Sequence, residues 1–342
     1  MKINNQSLKK GAITRGYIET SGYAKGIRLR LPFIAASGMR TGKTLAITAL
    51  QHGRELNGPA AVHRFFQQVK PRELSGTILA FPVVHPVPVY AHVQDWPLEV
   101  TRGLRNFPPH EPMNVNRNWP GNSSGNYHER ITAAVFRYLK KADCVLDLHG
   151  WSERVIGLAW GQRYSASYVR AFAFPWSTIH NTVVASGMLE EACKKTKVPY
   201  VINETTPQNK VEPTAVRHIT RGIRNLAKKL KIMDGDLEFP PRSFELGGTD
   251  SVVEVSEHHG LAVSDLYPGG VVEKNDSIVE VVDLDTFRTV QTVRAPKRML
   301  LQSVGCCWAT GMNNFDVVQP GDIIARLAGI DREYVDGVKV RA

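Results

Sequence analysis

From about residue 44 to residue 230, short apolar runs alternate with longer amphipathic stretches, and few architectures other than a helix-covered sheet accommodate that rhythm. The apolar runs are Thr44–Leu50 (TLAITAL), Gly76–Val84 (GTILAFPVV), Ala142–Leu148 (ADCVLDL) and Val198–Ile202 (VPYVI). Between them the spacing predicts helices over Gly58–Val69, Glu129–Lys141, Thr182–Thr196 and Thr214–Leu230. In the second of these, Ile131, Val135, Tyr138 and Leu139 recur at helical spacing with charges opposite. Such a βαβα order predicts a sheet with helices on both faces.

The rhythm changes near Asp234. Asp234-Gly235-Asp236 and Pro240-Pro241 punctuate the chain, and short runs follow (SVVEVSE, SIVEVVD, RTVQTVRA, DIIARLA), parted by Gly, Asn and Asp. The sequence therefore predicts an α/β domain over 1–239 and a β-rich domain over 240–342, and a length of 342 residues suits about two domains.

Composition narrows the function classes. Hydrophobic residues make up 42% and charged residues 22%, as in a globular protein, and no apolar run approaches the ~18 residues of a membrane span. The start, Met1 to Lys10, is polar, and four cysteines lack any CxxC spacing, so a cytoplasmic, reducing location is expected. A net charge of +11 invites a nucleic-acid reading, but the basic residues are dispersed and accompany no recognition module. A solvated basic surface is expected, with small anions rather than nucleic acid or membrane as partners.

Ser37-Gly38-Met39-Arg40-Thr41-Gly42-Lys43-Thr44 imitates a phosphate-binding loop, yet Ser37 stands where the motif needs its first Gly, and a strand rather than a helix follows. It reads as a turn between strands. Just after that strand, Gln51-His52-Gly53-Arg54-Glu55-Leu56-Asn57-Gly58 offers an imidazole and a carboxylate separated by two residues, able to face one metal ion. Asp147-Leu148-His149-Gly150 supplies a third donor, His149, at another strand end, with Asp147 able to orient a ligand. Three protein ligands leave coordination space for water, the catalytic rather than the structural zinc pattern. Met113-Asn114-Val115-Asn116-Arg117-Asn118-Trp119-Pro120-Gly121 brings a guanidinium fork beside an amide, a grip for a carboxylate. Glu204, closing VPYVINE, is a candidate general base and acid.

Together QHGRELNG, MNVNRNWPG, DLHG and VPYVINE resemble, in that order, the motifs of the succinylglutamate desuccinylase/aspartoacylase family of zinc carboxypeptidase-like hydrolases. The resemblance spans about residues 30 to 235, and the later β-rich region looks like the family's accessory domain. It implies a three-layer αβα catalytic domain with a C-terminal β barrel or sandwich. It implies one Zn2+ per chain on His52, Glu55 and His149, a carboxylate-binding pair in Asn116 and Arg117, and Glu204 as general base and acid. A carbonyl-polarising arginine is implied before that pair, with Arg105 preferred over Arg102. Two departures, Arg54 beside Glu55 and Thr205-Thr206-Pro207 after Glu204, bear on specificity. The expected activity is hydrolysis of the amide of a small, anionic N-acyl amino acid or related amine, in a monomer or homo-oligomer. The alternatives are a zinc carboxypeptidase acting on a peptide or peptidoglycan fragment and an inactive binding protein on the same scaffold.

Other residues read as structural. Trp151, Trp160 and Trp176 are expected in packing, Cys306-Cys307 as packed thiols, and His258-His259 on opposite sides of a strand. His85, His92, His110, His128 and His180 have no ligand spacing and are expected at polar surfaces or behind a site.

Overall fold

The computed structural model describes residues 2–22, 26–96, 114–151, 153–305 and 316–341. A two-stranded hairpin, β1 (Lys2–Ile3) and β2 (Gln6–Ser7), precedes β3 (Ala12–Ser21), β4 (Arg28–Ser37), β5 (Arg40–Ala49) and β6 (Ser75–Phe81). Then come β7 (Cys144–Gly150), β8 (Leu158–Gln162), β9 (Trp176–His180) and β10 (Tyr200–Thr205). The helices are α1 (Asn57–Gln68), α2 (Pro86–Tyr90), α3 (Tyr127–Leu139), α4 (Ala166–Phe172), α5 (Leu189–Thr196) and α6 (Pro213–Lys229). The β-rich part holds β11 (Arg242–Val255), β12 (Gly260–Val263), β13 (Val271–Val272), β14 (Ser277–Val282) and β15 (Thr289–Arg294). It ends with β16 (Met299–Val304), β17 (Val317–Val318), β18 (Ile323–Val335) and β19 (Val338–Arg341).

Among the described residues, thirteen strands make one sheet in the order β13-β16-β18-β11-β9-β8-β10-β7-β5-β6-β4-β3, with β19 on β18. At its centre β6, β5, β7 and β10 run parallel. Every residue of β7 is buried, as a parallel strand covered on both faces requires. Two apolar layers result. Val145, Tyr200 and Ile202 face the core that also takes α3 and α5, whereas Leu146, Val201 and Ile47 face the core built with α1, α4 and α6. This is the expected αβα sandwich. A four-stranded sheet, β15-β14-β12-β17, packs its own apolar cluster in the β-rich part.

The phosphate-loop look-alike is a turn at Gly38-Met39 followed by strand β5. Gly38 is required there, because a Cβ would lie 2.1 Å from the Leu74 carbonyl oxygen. Helix α3 begins with a reciprocal capping box between Asn126 and Glu129. The expected helix over Thr182–Thr196 is shorter. Residues 181–188 form an irregular segment, and α5 starts only after Gly187, whose φ of 73° is incompatible with a continuous helix. His258 and His259 lie exposed in the bend between β11 and β12, not on a strand. His85 and His128 are buried against each other in a T-shaped pair with ring centroids 5.2 Å apart, not at a polar surface. Trp160 is core, as expected, with Trp151 5.6 Å away. Cys306, Cys307 and His110 lie outside the described residues.

The β-rich part is hydrogen-bonded into the main sheet: β11 pairs in parallel with β9, through Phe244–Trp176, Glu245–Ser177 and Leu246–Thr178. Arg170 on α4 adds a fork to buried Glu245 at 2.8 and 3.0 Å. We propose residue 240 as the boundary on the change of element type there, not on a break in the sheet. No helix among the described residues is long and apolar enough to cross a membrane.

His218 on α6 packs edge-to-face on Phe174, with centroids 5.7 Å apart. Burial, then Arg221 and Arg217, push its pKa down to about 4. Below about pH 6.5 the unfolded chain takes up a proton that the folded chain refuses until about pH 4. Stability should therefore fall as pH drops through that window, by about 1–2 kcal/mol after allowance for partial exposure. Urea titrations of wild type and His218→Gln at pH 7.5 and pH 4.5 check it: the variant should lose that much less on acidification, and equal losses would refute it.

Candidate metal centre

The carboxyl ends of β5, β7 and β10 lie side by side, where open α/β sheets bind ligands. Leu50, buried with a φ of 49°, turns the chain sharply off β5 and sends Gln51 and His52 inward. Glu55 follows in the tight turn before α1, and Gly53 is pressed there against the Pro88 and Val93 carbonyls. His149 closes β7. The three side chains converge: His52 Nδ1 is 2.8 Å from Glu55 Oε1, and His149 Nδ1 is 3.1 Å from Glu55 Oε2. One donor atom from each lies within 4.8 Å of the others, and all three residues are buried.

The outer nitrogens are fixed. Asn114 Oδ1 accepts the Asn116 backbone N–H at 2.8 Å and lies 3.0 Å from His52 Nε2. Being an acceptor, that oxygen takes the His52 Nε2 proton, so Nδ1 is the nitrogen that faces Glu55 and would give up its proton to a cation. Asp147 Oδ2 likewise takes the His149 Nε2 proton at 3.0 Å. Asp147 is fully buried and also accepts from Thr48 (2.7 Å), Gln51 (2.8 Å) and the Tyr200 hydroxyl (2.7 Å). Trp119 Nε1 in turn holds Gln51 Oε1 at 2.8 Å. Partners of this kind fix the ring orientation and tautomer of a metal-ligating histidine.

Electrostatics favour a cation. Burial pulls His52 down, but Glu55 and Asp95 outweigh it and raise its pKa to about 9. Burial also opposes charge on Glu55, yet His52 and His149 bring it to about 2. His149 is raised well above its ordinary value, since Asp147 and Glu55 overcome its burial. A buried pair of carboxylates thus draws positive charge between two imidazoles. Glu55 Oε2, buried with no aligned hydrogen bond, is the orphan an ion would satisfy. Two imidazoles and a carboxylate are a zinc-type donor set, so these residues fit a metal ion.

Glu204 on β10 is the register partner of His149 across the β7–β10 ladder and projects from the same face. Its residue surface is partly open, but its carboxyl is enclosed by protein atoms. Burial first, then the negative Glu55 and Asp147 against the opposing histidines, leave its pKa near 8. Asn116 and Arg117 sit in a 3-10 turn, Val115–Arg117, joined to His52 through Asn114. Asn116 is buried and its Oδ1 accepts from Leu189 N at 3.2 Å, leaving its Nδ2 to donate elsewhere. Arg117 donates to the Asn116 carbonyl at 2.9 Å. Arg54 is half-buried, and its carbonyl accepts from Asn209 N at 2.8 Å. Arg102 and Arg105 lie outside the described residues.

Sequence reasoning assigned no role to Asn114 or Gln51, although both stand inside the recognised phrases. Gln94, which donates to Glu55 at 3.1 Å, and Asp95, 3.6 Å from His52, carried no local signal at all.

Comparison with known proteins finds relatives in sequence and in fold. The model of the succinylglutamate desuccinylase/aspartoacylase catalytic domain matches residues 41–230, more than half the chain. N-alpha-acetyl-L-2,4-diaminobutyric acid deacetylase of Halomonas elongata is 24% identical over 256 residues, 71% of each protein. A solved succinylglutamate desuccinylase from Silicibacter sp. TM1040 superposes with a TM-score of 0.73 at 20% identity, covering 93% of this chain and 95% of that one. The product-bound ectoine utilization protein EutE of Ruegeria pomeroyi also gives 0.73 at 20% identity, over 94% and 97% of the two chains. These structural likenesses establish the fold.

Proposed function

This chain belongs to the succinylglutamate desuccinylase/aspartoacylase family of amide hydrolases, and from that premise we propose a zinc-dependent deacylase that cleaves a small N-acylated amino acid or related amine. One observation supports the reading above all: three buried donor groups converge at the sheet's carboxyl edge with Glu204 as the cross-strand neighbour of His149. Held by His52, Glu55 and His149, one zinc ion per chain would supply Lewis acidity, acidifying water and polarising an amide carbonyl.

Glu204 takes the proton that water gives up during attack on the carbonyl and returns it to the departing amine nitrogen. Burial raises its carboxyl above the ordinary carboxylate range and positive charge in the cluster pulls it back, the balance that accepting and returning a proton needs. Asn116 Nδ2 and the Arg117 guanidinium bind the substrate's carboxylate, which fixes the scissile bond against Glu204. Arg105, or in its place Arg102, serves the carbonyl oxygen. A small anionic substrate also suits the net charge of +11. Free, buried Cys144 and Cys193 are consistent with a cytoplasmic enzyme.

The test is a hydrolysis screen of N-acetyl, N-succinyl and related acyl amino acids with zinc-loaded and chelated protein. Zinc-dependent release of a free amine from one of them is expected. Cleavage of peptides or peptidoglycan fragments instead would establish a carboxypeptidase, and no turnover on any substrate would leave a binding protein.

A further inference from the structure

The irregular segment before α5, where a helix was expected, is pinned from both sides. On one side it carries the substrate-carboxylate turn: the Gly187 carbonyl accepts from Trp119 N at 2.9 Å, and Leu189 N donates to Asn116 Oδ1 at 3.2 Å. Gly187 lies so close that a Cβ would stand 2.1 Å from the Arg117 carbonyl oxygen. On the other side, the first two acids of α5 hold the segment. Glu191 Oε2 accepts from Gly187 N at 2.7 Å, and Glu190 Oε2 accepts from Val184 N at 3.2 Å.

Glu190 is unusual for a helix-start acid because it is fully buried. Its other oxygen faces His180 Nε2, the last residue of β9, at 3.4 Å. The His180 Nδ1 proton goes to the Thr182 carbonyl, which fixes the ring with Nε2 toward the Glu190 carboxylate. The chain from β9 to α5 is thus closed into a loop by one pair of side chains at its base.

We propose that the Glu190–His180 pair positions Asn116 and Arg117: it locks segment 181–188 so that Gly187 and Leu189 present a rigid backbone to the carboxylate-binding turn. This rests on the deacylase reading for its kinetic consequence, but not for its structural one. The pair acts as a close polar latch, with His180 Nε2 3.4 Å from the Glu190 carboxylate and not aligned for a hydrogen bond. A glutamine at 190 can still accept from Val184 N and set a polar group against His180, whereas an alanine can do neither.

The test combines kinetics with amide exchange. With the best N-acyl amino acid from the screen, Glu190→Ala should raise KM by about 10-fold with kcat within about 3-fold, because uniform binding is lost. Glu190→Gln should stay within about 3-fold of wild type in both. A carboxamide counterpart of the same substrate, lacking the carboxylate, should be indifferent to Glu190→Ala. Independently of turnover, the Trp119 and Leu189 amides should exchange at least about 10-fold faster in Glu190→Ala. His180→Ala, at a partly exposed position, should show the same pattern if Glu190→Ala fails to fold. Unchanged KM and exchange in either alanine variant would overturn the latch, and so would equal losses on carboxylate and carboxamide substrates. If the wild type turns over nothing, the deacylase reading fails and the exchange result alone decides the latch.

Discussion

Glu204→Gln should retain a full complement of metal yet hydrolyse its substrate about 10^3-fold more slowly, within the range by which general acid–base groups accelerate reactions. The amide is nearly isosteric with the carboxyl, so the β7–β10 ladder and the His52–Glu55–His149 cluster next to it keep their geometry. What disappears is the capacity to take a proton and give it back. Metal analysis beside initial rates separates the two effects, and a near-normal rate would remove Glu204 from the mechanism.

The pH profile carries a second signature of the same residue. Only ionised Glu204 can accept a proton, so kcat/KM should fall as pH drops below its pKa. Without a cation that pKa lies near 8, raised mainly by burial. Positive charge in the adjacent cluster favours the carboxylate, so the acid limb of the loaded enzyme should lie below 8 and vanish in Glu204→Gln.

His149→Ala should strip the centre. The imidazole is buried between Asp147 and Glu55, and removing it deletes a donor atom and leaves two buried carboxylates short of a partner. Metal affinity should drop by well over the ~10–100-fold that losing an outer partner costs. Dialysed protein should then contain less than about a tenth of an equivalent of zinc and be inactive. Asp147→Asn provides the calibration, with a loss inside the ~10–100-fold range. Stoichiometric zinc in His149→Ala would place the third ligand elsewhere.

The central strands were legible because strands buried on both faces must be apolar throughout, and TLAITAL and CVLDL have few other uses. The donor triad was legible because strand ends are where an α/β sheet displays chemistry: His149 closes β7, and His52 and Glu55 stand in the turn that follows β5. The segment 182–196 misled because Val184, Met188, Leu189 and Ala192 fall at helical spacing, while Gly187 needs a backbone that only tertiary contact with Arg117 explains. Asn114 was hidden in plain view: its role depends on a ring 62 residues away, which no local pattern encodes. Nor could sequence reveal that β11 would join β9, since strand pairing across a change of element type leaves no periodic trace.

That pairing has a mechanical consequence. A domain carried on a flexible linker can swing, but the β-rich part is stitched to β9 by a parallel ladder and by the Arg170–Glu245 fork. Any hinge opening would have to tear backbone hydrogen bonds next to His180, the strand end that faces Glu190 at the start of α5. The two parts therefore behave as one elastic plate. A load placed on the β-rich part, by a crowding neighbour or a fused protein, would be felt along β9 as strain and not absorbed as rotation.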